Sequence, residues 1–87
     1  MNRQVLMLTY AFKYALNRPL ETVFDVMEEY EEIKHQFKQR EIKQWIECIE
    51  YEIKMLSYLN GENIKTKKYE LKQILKTLTS DLIKSKN

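Results

Sequence analysis

The chain has 87 residues and a formal net charge of +2, with 32% of its residues charged and only one glycine, one proline and one cysteine. That length allows one hydrophobic core, burying about 60–65% of the surface of the unfolded chain, and so little glycine and proline leaves few places for β-hairpin turns. A lone cysteine excludes an internal disulfide framework, the lack of a run of about 18 apolar residues excludes a membrane-spanning helix, and so small a net charge does not by itself argue for nucleic-acid binding.

These bounds predict an all-α protein: a single helical domain over 1–87, built as a compact bundle of three to four helices at about 3–16, 20–37, 41–59 and 64–83. A domain of this size is marginally stable alone, so a homo-oligomer is expected. Val5 to Leu8 is apolar, but Lys13 and Arg18 follow at once without a small-residue cleavage site. No signal peptide is therefore read there, and a reducing cytoplasm is the expected location.

The first helix carries two stripes at 3.6 residues per turn. Val5, Leu8, Phe12, Ala15 and Leu16 form an apolar one, and Tyr10, Lys13, Tyr14, Asn17 and Arg18 a second of rings, cations and an amide. Asn17 is expected as a left-handed cap, and Pro19 at the first position of the next helix, with Glu21 and Asp25 near its positive end. Leu20, Val23, Phe24, Met27, Tyr30, Ile33 and Phe37 then predict a broad buried stripe, opposite an acidic block from Glu21 to Glu32.

The stripe slips between Phe37 and Ile42, which places a short break near 38–40. Ile42, Ile46, Ile49, Ile53 and Leu56 step by four and three, with Trp45 and Leu59 widening the seam. Asn60-Gly61 is expected to cap that helix, and the rhythm resumes at Leu71, Leu75, Leu78 and Leu82, supported by Ile64 and Ile74. Two such helices joined by a short loop predict an antiparallel hairpin. Ser85, Lys86 and Asn87 are expected to fray.

Catalytic signatures are missing, so the chain is read as a non-enzyme with no cofactor and no metal. Glu32-Ile33-Lys34-His35 has the Glu-x-x-His form of helical di-iron sites, but such a site needs a second element and the chain has one histidine. His35 is read as a surface residue. Cys48 has no catalytic partners in sequence and reads as a buried structural thiol. Trp45, Tyr51, Tyr58 and Tyr69 read as core or interface, and the lysines from Lys65 onward as the solvated face of the last helix.

The stripe of Tyr10, Lys13, Tyr14, Asn17 and Arg18 admits two readings. In the first, the tyrosines pack on the second helix or another subunit, Lys13 pairs with the acidic block, and Arg18 reaches the last carbonyls of its helix. In the second, the rings stack on a ligand while Lys13 and Arg18 meet phosphate or carboxylate.

Lys13-Tyr14-Ala15-Leu16-Asn17-Arg18 resembles a motif of small orphan proteins of bacteriophages infecting Firmicutes, Arg-Tyr-Ala-Leu-Gly-Arg followed by x-Thr-Tyr. Asn17 stands where that motif has glycine, and Leu20-Glu21 where it has Thr-Tyr. The resemblance implies a phage origin, location in the infected host cell and, by association with small phage proteins, a counter-defence role; it carries no chemistry.

Three functions follow as expectations. The first is sequestration of a small anionic ligand, such as a nucleotide immune signal, by Tyr10, Lys13, Tyr14, Asn17 and Arg18, in pockets between subunits. The second is inhibition of a host or defence protein through Glu28, Glu29, Glu31 and Glu32, whose charge imitates that of nucleic acid. A DNA-binding regulator is third, and neither membrane nor nucleic acid is an expected partner.

Overall fold

The structure, a computed structural model, describes residues 2–85. It is all-α: α1 (Arg3–Ala15), α2 (Leu20–Ile33), a single 3-10 turn at Lys34–Gln36, α3 (Gln39–Leu56) and α4 (Glu62–Lys84), with no strand among the described residues. The chain divides into two compact units, one ending at Lys38 and the other beginning at Gln39.

In the first unit, α1 starts at Asn2, whose side-chain oxygen accepts from the backbone N–H of Gln4 at 2.8 Å and of Val5 at 3.3 Å. Two of the helix's orphan donors are thereby satisfied. Asn2 Nδ2 also donates to Gln36 Oε1 at 2.5 Å, tying this end of α1 to the turn after α2. Val5, Leu8, Phe12, Ala15 and Leu16 are all buried, so the apolar stripe is the core face of α1.

The end of α1 differs from expectation. No residue other than glycine has positive φ among the described residues, so Asn17 is not left-handed. The Leu16 N–H instead donates to Phe12 O at 3.1 Å and the Arg18 N–H to Ala15 O at 2.9 Å, a tightened last turn that satisfies carbonyls without a left-handed residue. Pro19 is the residue before α2, with φ −56° and ψ 151°, one position earlier than expected.

The buried face of α2 is Val23, Val26 and Tyr30, while Phe24 lies 41% exposed. Val26 and Phe24 are about 200° apart around a helix, so one face cannot centre on both. The helix stops at Ile33, not at Phe37 as expected. One turn of 3-10 helix and an extended Phe37 bring that ring edge-on to Tyr30, with centroids 5.1 Å apart and planes at 77°. In a continuing helix seven residues span about 10.5 Å along the axis. Leaving the helix is what lets these rings meet.

In the second unit, α3 begins at Gln39, so the break falls at Phe37 and Lys38. The helix buries Ile42, Trp45, Ile49 and Leu56, and α4 buries Leu71, Ile74 and Leu78. The two pack as the antiparallel hairpin the heptad-like rhythm predicts. Glu52 meets Lys67 Nζ at 4.0 Å with both side chains largely covered. Counted from that pair along antiparallel helices, Ile49, Trp45 and Ile42 come near the levels of Leu71, Ile74 and Leu78.

α3 ends at Leu56, three residues before expectation, and unwinds through bonds from Tyr58 N–H to Met55 O at 3.2 Å and from Leu59 N–H to Leu56 O at 3.0 Å. Leu59 therefore leaves the seam and is 55% exposed. Gly61 does not cap α3; it precedes α4 with φ 128° and ψ 159°, its carbonyl accepting from Lys65 N–H at 3.0 Å. At the far end Ser85 is a hydrogen-bonded cap rather than a frayed residue, its Oγ donating to Leu82 O at 2.9 Å. Lys86 and Asn87 lie outside the described residues.

Two substitutions check this account. Gly61 has open space where a Cβ would sit, so Gly61→Ala isolates the backbone strain of its positive φ. It is expected to lower urea-unfolding stability by about 1–3 kcal/mol. Asn2→Ala removes the α1 cap and is expected to cost about 1 kcal/mol in the same measurement.

Candidate functional site

Burial of Val5, Leu8, Phe12 and Ala15 fixes the rotation of α1 about its axis, and residues about 100° away per step must then face outward. Thr9 is covered, its hydroxyl donating to Val5 O at 2.8 Å. Tyr10 and Tyr14 come next and are 62% and 60% exposed. Lys13, Asn17 and Arg18 are exposed beside them. The five residues thus share an accessible surface at the C-terminal end of α1, and the tyrosines do not pack on α2.

The tightened turn after α1 swings Arg18 back over the helix. Its guanidinium carbon lies 4.2 Å from the centroid of the Tyr14 ring, a cation–π contact. A guanidinium is a planar fork of N–H donors of the kind that meets carboxylate or phosphate. Lys13 makes no ion pair with the acidic block, and none with any of the described residues. Two exposed rings and two cations, of which Lys13 has no ion-pair partner among the described residues, make this a basic aromatic face.

The acidic block spans the exposed surface of α2, with Glu29 and Glu32 on the side toward α1. Glu28, Glu29, Glu31 and Glu32 are all exposed, and Glu31 pairs with Lys34 at 2.9 Å one turn away. Between α1 and α2 runs an open groove of about 650 Å³ that sequence reading does not reveal. Arg3, Met7 and Ala11 line it from α1, and Glu29, Glu32 and Ile33 from α2. Its one sequence signal is Met7, an apolar residue lying off the core stripe and 64% exposed.

Elsewhere, His35 is exposed and Cys48 is half-buried where a buried thiol is expected. Among the described residues no cluster of three or more His, Cys, Asp or Glu is arranged to hold a metal. Of the aromatic residues on α3, α4 and their connection, Trp45 alone enters the core; Tyr51, Tyr58 and Tyr69 are 64%, 72% and 61% exposed. No helix is long and apolar enough to cross a membrane among the described residues. No family model matches the chain, and neither does any curated protein or solved structure.

The stack of Arg18 on Tyr14 can be tested directly. A double-mutant cycle over Tyr14→Ala and Arg18→Ala is expected to give a coupling of about 0.5–1 kcal/mol in thermal or urea unfolding, the range for an exposed cation–π pair.

Proposed function

We propose that this chain is a non-enzymatic binding protein that sequesters a small anionic ligand of nucleotide type on the face formed by Tyr10, Lys13, Tyr14, Asn17 and Arg18. The observation that carries this reading is the exposed Arg18–Tyr14 stack at 4.2 Å, with Tyr10 and Lys13 beside it. A flat π-system stacks on Tyr10 or Tyr14, and a phosphate accepts from Arg18 in a bidentate fork and from Lys13 as a point charge. Binding of this kind needs no proton transfer or nucleophile, in keeping with the non-enzymatic assignment. The phage origin that the motif resemblance implies supports, by association with small phage proteins, a counter-defence setting in which the ligand is a nucleotide signal of the host's immunity. The α1 surface is convex, so a second subunit would complete the pocket.

Isothermal titration against cyclic dinucleotides, ADP-ribose derivatives and mononucleotides is the direct test. Arg18→Ala and Lys13→Ala are each expected to weaken binding by about tenfold or more, while Lys13→Ala changes stability by less than about 0.5 kcal/mol, as exposed substitutions do. Failure of every nucleotide class to bind, or unchanged binding in both variants, removes this reading.

A second reading rests on α2. Glu28, Glu29, Glu31 and Glu32 present four exposed carboxylates along one helix, a charge density able to dock on a basic surface of a host or defence protein. Charge reversal at these four positions, followed by pull-down from host lysate, separates this reading from the first, which predicts no effect.

A further inference from the structure

The groove between α1 and α2 has lips of opposite charge. Arg3 stands on the α1 lip, Glu29 and Glu32 on the α2 lip, and Met7, Ala11 and Ile33 supply apolar lining. All three charged side chains are exposed, yet Arg3 does not reach either carboxylate within ion-pair distance, and none of the three has an ion-pair partner among the described residues. Met7, 64% exposed, adds an unburied apolar side chain at the same place.

We infer that this groove is a self-association surface, occupied by the α1–α2 pair of a second copy of the chain. A surface with a basic α1 lip and an acidic α2 lip is complementary to itself after a two-fold rotation that lays α1 of one copy along α2 of the other. Arg3 then meets the partner subunit's acidic lip, and the reverse pair forms by symmetry. Met7 of each copy enters the apolar part of the other's groove. The product is a four-helix arrangement at the interface, which covers Met7 and the apolar lining of the groove. A partner of a single charge sign would satisfy one lip and repel the other; a second copy satisfies both.

The expected strength follows from size. Helices of 13 and 14 residues are about 20 Å long, and two side by side offer roughly 400 Å² per copy, about half of a standard interface. A contact of that size falls among weak, transient interfaces, so association depends on concentration across the micromolar to millimolar range.

Sedimentation equilibrium of the full chain from about 1 µM to 0.5 mM reads this range. The wild-type mass is expected to rise from one chain toward two. Arg3→Glu, and separately Glu29→Arg with Glu32→Arg, should each raise the dissociation constant by about tenfold or more while circular dichroism stays helical. An equimolar mixture of the two variants should recover a heterodimer, because the reversed charges match again. Met7→Asp, which leaves the lip charges intact, should weaken association as well. A wild-type chain that stays monomeric throughout, variants that associate as the wild type does, or a mixture that stays monomeric would each overturn the inference.

Discussion

Burial of a single stripe on α1 is the constraint on which the first unit depends. An isolated helix of 13 residues is marginal in water even with favourable composition, because nucleation is costly and each added residue contributes little. What holds α1 is the removal of Val5, Leu8, Phe12, Ala15 and Leu16 from solvent, with Phe12 and Ala15 wholly covered. Complete burial also fixes the helix's rotation, so Tyr10, Lys13 and Tyr14 have no choice but to face outward. The candidate face is in this sense a by-product of the core: the same stripe that stabilises α1 presents the rings.

That relation explains why much of the architecture can be read from sequence. Periodicity identifies the α1 core stripe and the Ile42, Trp45, Ile49 seam because apolar residues there recur at helical spacing, while the large side chains on the other faces, Tyr10, Tyr14 and Tyr51, carry hydroxyls and stay exposed. It fails on α2, where Phe24 and Val26 are both apolar and only packing decides between them. It fails again at helix ends, where good helix formers continue the pattern past the true boundary. Phe37 leaves the helix to reach Tyr30, and Leu59 leaves it in the unwinding turn, both through tertiary or turn geometry that local spacing does not encode.

The candidate site is legible to a different degree. Which residues share a face follows from helical spacing alone; that Arg18 lies over Tyr14 depends on the turn, and the turn avoids the left-handed conformation expected of Asn17. Asn2 is an instance of a legible signal, since asparagine just before a helical pattern is a strong cap, but its bond to Gln36 joins residues 34 apart and has no local signature. The groove is likewise a property of two helices together.

Surface tyrosines are a recurring theme of this chain, and they sharpen the meaning of its one tryptophan. Trp45 is fully covered, in the second unit, while the first unit contains no tryptophan at all. Indole emission from the protein therefore comes from a residue of α3, against a backbone signal that reports on all four helices. The chain carries its own label for one half, and a comparison of the two optical signals during unfolding shows whether the halves lose structure as one cooperative system or in turn.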